Sequence, residues 1–282
     1  MNLILQGLAP DTTAIERIAK LADARRILPL ERTTPAWRCE GVADSEAVRN
    51  AVDAECYAAR LDYAFVEPGR KLSDFKLLTM DMDSTLITIE CIDEIADMQG
   101  LKPQVAEITE AAMRGEIEFR ESLTRRVALL KDLDAAALQR VYDERLRLSP
   151  GAEDMLAAIK AAGLKTLLVS GGFTFFTDRI KLRLGLDYTH SNVLEVVDGK
   201  LTGRVLGGIV DAEEKQRTVE RVCAELGVSP EQAIVMGDGA NDLKMMGISG
   251  LSVAFRAKPI VRKQAHVALN FERLDGILSL FD

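Results

Sequence analysis

Leu77-Leu78-Thr79-Met80-Asp81-Met82-Asp83-Ser84-Thr85-Leu86 is the stretch from which the fold is read. Its first four residues read as a short buried strand, and two aspartates follow at its end, two positions apart. That spacing turns both side chains toward one mouth. A buried strand end gains nothing structural from two carboxylates, which are costly out of water unless a cation or a reaction uses them. In open α/β sheets, ligands bind just beyond the carboxyl ends of the strands.

Outward from this point the same pattern repeats. Short apolar runs at 75–80, 166–169, 233–236 and 250–253, with a further one at 267–269, alternate with helical segments and are punctuated by Gly or Pro. This predicts an α/β fold: a Rossmann-like parallel sheet with helices on both faces. The first three runs end at Asp81/Asp83, at Ser170-Gly171-Gly172 and at Gly237-Asp238-Gly239-Ala240-Asn241-Asp242. Residues from about 90 to 148 form a helical, charge-rich insertion too long for a plain crossover, and read as a cap over the strand ends. The segment 192–207, with Asp198-Gly199 at its turn, reads as a structural hairpin.

The first 70 residues read differently. Strands at 3–8, 26–30, 36–42 and 62–66 and helices at 12–22 and 45–60 give the order β-α-β-β-α-β. That is an α+β, ferredoxin-like sheet with helices on one face. Pro68-Gly69-Arg70-Lys71 reads as a linker, so the expected units are 1–70 and 71–282.

Composition narrows the function. Of 282 residues 48% are hydrophobic and 28% charged, which fits a globular chain with room for two domains. A net charge of -8 repels phosphate backbones and anionic lipid, so neither a nucleic acid nor a membrane is expected as partner. Cys39, Cys56, Cys91 and Cys223 have no metal-site spacing and read as free thiols of a reducing compartment. With no apolar run of membrane length and no basic, apolar leader at Met1-Asn2-Leu3-Ile4-Leu5-Gln6-Gly7, the expected location is the cytoplasm. The oligomeric state is left open, a homodimer being one candidate.

The strand-end residues suit phosphoryl transfer, which needs a nucleophile, a proton donor, a metal and charge on the equatorial oxygens. Asp81 fits the nucleophile, and Asp83 could protonate the leaving oxygen and then deprotonate water. Asp81, Asp83 and Asp238 are the expected ligands of Mg²⁺, a hard cation that prefers carboxylate oxygens, with Asp242 steadying them. Ser170 offers a hydroxyl, while Gly171 and Gly172 let backbone N–H groups approach an anion. Lys215 would neutralise the anions in contact, although Glu213-Glu214-Lys215 also reads as a solvated face and Lys200, Arg204 and Arg217 compete for the role.

Together, Asp81-Met82-Asp83-Ser84-Thr85, Ser170-Gly171-Gly172-Phe173, Lys215 and Gly237-Asp238-Gly239-Ala240-Asn241-Asp242 resemble the four motifs of the haloacid dehalogenase-like hydrolases. The resemblance covers roughly residues 75–282 and lies closest to members that hydrolyse O-phospho-L-serine. It implies a small-molecule substrate, phosphoserine, hydrolysed with Mg²⁺ through an aspartyl-phosphate in the last step of serine biosynthesis. It places Glu90 on the substrate amino group, Arg126 on its carboxylate and Asn241 on phosphate and substrate, with Met113 and Phe119 packing the cap over the site. On spacing alone Arg120 or Arg125 could replace Arg126. The N-terminal unit resembles small amino-acid-binding regulatory domains in element order. The alternatives are a phosphatase or phosphotransferase for another small phosphorylated amino acid or alcohol, and a non-catalytic amino-acid sensor. His190 and His266 stand apart from every motif and receive no role.

Overall fold

A computed structural model describes residues 1–113 and 116–282, and of Met113 only the backbone, so the packing expected of its side chain lies outside the described residues. The strands are β1 (Asn2–Gln6), β2 (Arg26–Leu30), β3 (Ala36–Glu40), β4 (Asp62–Val66), β5 (Leu77–Met80), β6 (Lys165–Phe173), β7 (Tyr188–Val197), β8 (Lys200–Leu206), β9 (Ala233–Gly237), β10 (Leu251–Phe255) and β11 (Val267–Leu269). The helices are α1 (Thr12–Leu21), α2 (Glu46–Ala58), α3 (Cys91–Asp97), α4 (Lys102–Met113), α5 (Phe119–Ala128), α6 (Ala136–Arg140), α7 (Ala152–Ala161), α8 (Thr174–Leu184), α9 (Ala212–Leu226), α10 (Leu243–Gly247) and α11 (Pro259–Gln264).

Strand β5 sits between β6 and β9 and is parallel to both. From it the chain builds β6 and β7 to one side and later β9, β10 and β11 to the other. The strand order therefore reverses at the carboxyl end of β5, the topological switch point where such sheets open a crevice. Asp81 is the next residue.

Alternate residues of these strands enter two separate cores. Leu78, Met80, Leu168, Ile234, Met236, Val253 and Phe255 pack on one side with Met155 and Ile159 of α7 and Phe176 of α8. Leu77, Leu167, Val169, Ala233, Val235 and Ala254 pack on the other with Val219 and Val222 of α9 and Met245 and Met246 of α10. Burial on both faces explains the nearly unbroken apolar runs. Helices α3 to α6 form the insertion between β5 and β6. Its entry and exit are tied together: Thr88 N–H donates to Arg147 O at 3.0 Å and Ser149 N–H to Leu86 O at 2.9 Å. At the hairpin, Asp198 (φ 49°) and Gly199 (φ 76°) both take the left-handed conformation that a two-residue β7–β8 turn demands.

In the N-terminal part the order is β2-β3-β1-β4, all antiparallel, with α1 and α2 on one face over Leu3, Leu5, Ile15, Ile18, Val52 and Cys56. The opposite face is not free. Ile4, Ala64 and Val66 join the main core, together with Leu274, Ile277, Leu280 and Phe281. Tyr63 of β4 pairs with Ala268 of β11, so one eleven-stranded sheet runs through the whole molecule. The sequence pattern predicts the two sets of strands but not that they join. Among the described residues no helix is long and apolar enough to cross a membrane.

Candidate active site

The chain leaves β5 through a tight turn. Ser84 stands at φ 56°, ψ 1°, and Ile87 N–H closes the turn on Met82 O at 3.0 Å. The turn separates the two aspartates electrostatically. Asp81 is 5% exposed and its Oδ2 meets Lys215 Nζ at 2.9 Å. Asp83 faces another way: its Oδ1 accepts from Cys91 N–H at 3.3 Å. A Cβ on Gly172 would lie 2.9 Å from Asp83 Oδ2 and 3.1 Å from Ser170 Oγ, so the second position of Gly171-Gly172 must be glycine for these groups to meet.

Lys215 is fully buried on the first turn of α9, and its ammonium bridges Asp81 Oδ2 and Asp242 Oδ1, the latter at 2.8 Å. Burial works against its charge, but Asp242 and Asp81 outweigh it and hold the ammonium above the usual lysine range. Of the competitors, Arg217 reaches the cleft but pairs with Glu214, Arg204 pairs with Glu195, and Lys200 and Arg204 line a separate hollow. The solvated look of Glu213-Glu214-Lys215 arises because a helix turns successive residues to different faces. Asp242 Oδ2 accepts from the N–H groups of Asp238 and Gly239 at 3.2 and 3.1 Å.

Among the described residues one group of acids could hold a metal. Carboxylate oxygens of Asp81, Asp238 and Asp242 lie within 4.8 Å of one another. Burial, then Asp242, push the Asp238 carboxyl up to about 7, and burial with Asp242 also lifts Asp81 well above the carboxylate range. Three crowded carboxylates against one ammonium leave negative charge uncompensated. That donor set fits a hard divalent cation. The carboxylate of Asp83 is not in this trio. Burial, then Glu90, push it up to about 8, so near neutral pH it carries a proton.

A cleft of about 1010 Å³ joins these strand ends to the insertion. Asp81, Asp83, Ser170, Gly171, Asp238 and Asn241 line its floor, and Glu90 and Arg126 its far wall; Lys215 lies beneath, out of the lining. Glu90, at the start of α3, accepts from Ser84 Oγ at 2.6 Å, and burial raises its carboxyl. Arg126 on α5 makes one long contact, Nε to Ser122 O at 3.4 Å, and forms no ion pair among the described residues. Its rivals are engaged: Arg125 with Glu121, Arg120 with Asp211. Phe119 packs 3.0 Å from where a Cβ on Gly171 would stand, which places the insertion directly over the glycine loop.

Several residues of the site carry no motif. Asp93 lines the cleft three positions after Glu90, close enough to help charge Arg126; helical spacing from Glu90 would have found it. Asp211 caps α9 through Glu214 N–H at 2.9 Å and takes Arg120 Nε at 2.6 Å, linking insertion to sheet; an aspartate just before a helical run is a cap signal. Lys258 lines the mouth, its N–H donating to Asp238 O at 3.1 Å. Asn192, buried in β7, touches the glycine loop, and nothing in its sequence context signals this. The two histidines stay outside the site: His190 pairs with Glu214 and His266 accepts from Ser252 N–H at 3.0 Å.

The family model for haloacid dehalogenase-like hydrolases matches residues 75–250. A phosphoserine phosphatase of Polaromonas sp. (strain JS666) is 62% identical over 218 residues, 76% of this chain and 92% of that one. A solved structure, a HAD family hydrolase from Salmonella enterica serovar Typhi, superposes with a TM-score of 0.90 at 32% identity, covering 100% of this chain and 99% of the other. A phospho-aspartyl intermediate analogue of a phosphoserine phosphatase superposes at 0.70 with 39% identity, covering 74% of this chain and 99% of that one.

Proposed function

Because the chain belongs to the haloacid dehalogenase-like hydrolases, we propose that it hydrolyses O-phospho-L-serine to L-serine and phosphate, with Mg²⁺ as its metal, as a cytoplasmic enzyme of serine biosynthesis. The observation that carries this is the cleft itself: a phosphoryl-transfer floor at the strand ends faces a carboxylate, Glu90, and a guanidinium, Arg126, while the other guanidiniums of the lining, Arg120 and Arg217, are paired with Asp211 and Glu214. A zwitterionic amino acid needs that pair. An ammonium seeks an anion, and a carboxylate seeks the two-pronged fork of Arg.

In the first step an Asp81 carboxylate oxygen attacks phosphorus. The bond to the serine oxygen breaks, and that oxygen takes the proton held by Asp83. The raised Asp83 carboxyl supports this, since an ordinary aspartate would have no proton to give near neutral pH. In the second step water attacks the aspartyl-phosphate, Asp83 takes the water proton, and the bond to Asp81 breaks to release phosphate. Ser170 Oγ and the Gly171 N–H receive the phosphoryl oxygens, with the Gly172 N–H holding Ser170 Oγ in place and Asn241 at the same floor. Lys215, 2.9 Å from Asp81 Oδ2, opposes the rise that burial and Asp242 impose on that carboxyl and offsets the repulsion between nucleophile and phosphoryl group.

Asp81 and Asp238 would hold Mg²⁺, with Asp242 beside them. Bound there, the cation supplies charge that offsets the phosphoryl oxygens. For Asp83 we keep the proton role; its carboxylate lies with Cys91 and Gly172, away from the acidic trio, which does not support a place among the metal ligands. The division into 1–70 and 71–282 is part of the same reading and is supported by the separate core under α1 and α2. Four buried free cysteines support the cytoplasmic setting. Apolar side chains exposed on the β7–β8 hairpin, Val193, Val196, Val197 and Leu206, support a homodimer, which light scattering tests.

The test is phosphate release from phosphoserine, from other phosphorylated metabolites and from an aryl phosphate, each with Mg²⁺ and with chelator. We expect the highest kcat/KM for phosphoserine and loss of turnover on chelation. A preference for the aryl phosphate would overturn the substrate, and full turnover in chelator would overturn the metal.

A further inference from the structure

We infer that Asn192 is a positioning residue for phosphate binding, its side-chain amide setting the orientation of the Gly171–Gly172 peptide. Asn192 is 1% exposed on β7, yet it is polar and neither end of its amide is spare. Its Nδ2 donates to Gly171 O at 2.7 Å, and its Oδ1 accepts from Val210 N–H at 2.8 Å. One partner is a carbonyl and the other an N–H, so only one orientation of the amide satisfies both.

The position explains the need. The parallel pairing of β6 with β7 breaks between Val169 and Phe173, so the residues between them leave the regular ladder. The Asn192 side chain supplies a bond that the ladder does not. Gly171 C=O and Gly172 N–H belong to one rigid peptide plane and point in opposite directions. Holding the carbonyl against Asn192 therefore fixes the N–H, which donates to Ser170 Oγ at 2.9 Å. The other end of the amide holds Val210, the residue before Asp211, which caps the helix carrying Lys215. One buried amide thus ties the anion-binding loop to the start of the lysine helix, without itself lining the cleft.

The inference rests on the reading that residues 170–172 receive the phosphoryl group, and its test avoids the amino-acid part of the substrate. Inorganic phosphate binding to the full chain in Mg²⁺ is measured by calorimetry for wild type, Asn192→Ala and Asn192→Ser. The apparent Mg²⁺ affinity is measured in parallel without phosphate, and circular dichroism selects the variant that is folded. We expect phosphate affinity to fall about tenfold, the net worth of one buried hydrogen bond, with Mg²⁺ affinity within about twofold. Unchanged phosphate affinity in a folded variant would overturn the inference. So would equal losses for phosphate and Mg²⁺, which would mark Asn192 as a general packing residue, and so would a wild type that binds no phosphate. Failure of the substrate reading looks different: a wild type that binds phosphate but leaves phosphoserine intact.

Discussion

At the floor of the cleft, Asp242 takes Lys215 and two backbone N–H groups, Lys215 bridges two carboxylates, and Asn192 fixes the glycine loop from behind. At the far wall, among the described residues, Arg126 is held by one 3.4 Å contact to its own helix and Glu90 by one serine hydroxyl. The floor grows from strands buried on both faces; the wall belongs to helices whose entry and exit pair at 86–88 and 147–149 and which reach the rest of the fold through Arg120–Asp211 and the bonds of 132–135 to the β7–β8 hairpin. Groups that stabilise developing charge work best when already fixed, because nothing then has to reorganise during the reaction. Groups that recognise the rest of the substrate must first admit it and then close. The floor is thus committed to a reaction, and the wall to a leaving group.

The largest effect should come from breaking the floor's proton path. Asp83→Asn keeps the shape and the acceptor for Cys91 N–H but removes the proton that the leaving oxygen needs. We expect kcat to fall by roughly 10²–10⁴, the usual worth of a general acid–base group. Because its carboxylate is outside the acidic trio, Mg²⁺ affinity should stay within a few-fold. Rapid quench with single-turnover kinetics and metal titration read the two quantities. Near-normal turnover would remove Asp83 from the chemistry.

A smaller and more selective loss is expected at the wall. Arg126→Ala should lower kcat/KM for phosphoserine by about 10²-fold, the loss of a bidentate charge pair, and leave an aryl phosphate within about threefold. Asp93 and Glu90 would then crowd the wall with uncompensated negative charge, which deepens the loss for a substrate carboxylate. Equal losses on both substrates would erase the division between floor and wall.

How much of this was legible in the sequence follows the same division. The floor is written locally, since each strand ends in Asp, Gly or Ser within a few residues of its apolar run, and those residues converge wherever parallel strands lie side by side. The element order of the first 70 residues was legible for a similar reason. The first strand ends are placed well, but β6 continues to Phe173, beyond the apolar run at 166–169, because Ser170-Gly171-Gly172 stays extended. Asp81 and Asp83 share a loop in sequence, yet Ser84 at φ 56° and the burial of each carboxylate send them to different neighbours. Asn192 acts through contacts made only in three dimensions, and so does the pairing of Asp211 with Arg120, although the Asp211 cap itself is local. The join of β4 to β11 rests on a single pair of residues, Tyr63 and Ala268, which leaves no periodicity to read.

The smallest expected effect on activity lies farthest from the cleft. Arg38 of β3 donates to Phe281 O at 3.2 Å and pairs with Asp282, whose other carboxylate oxygen accepts from Gly69 N–H at 2.7 Å. Phe281 and its neighbours Ile277 and Leu280 cover the face of the N-terminal sheet that α1 and α2 leave open. Arg38→Ala should therefore loosen that cover. Arg32 still reaches Phe281 O at 3.1 Å, so the strap is weakened and not lost. The Arg38 side chain is 15% exposed, so the loss should exceed that of a surface pair and reach about 1–2 kcal/mol, or a few degrees in Tm. Because β5 and β9 sit between their own parallel neighbours, kcat/KM should stay within about twofold. Scanning calorimetry alongside steady-state kinetics separates the two quantities. A tenfold loss of kcat/KM at unchanged Tm would mean that the N-terminal sheet reaches the floor through the shared β4–β11 edge, and the contrast would then have to be drawn between the wall and everything else.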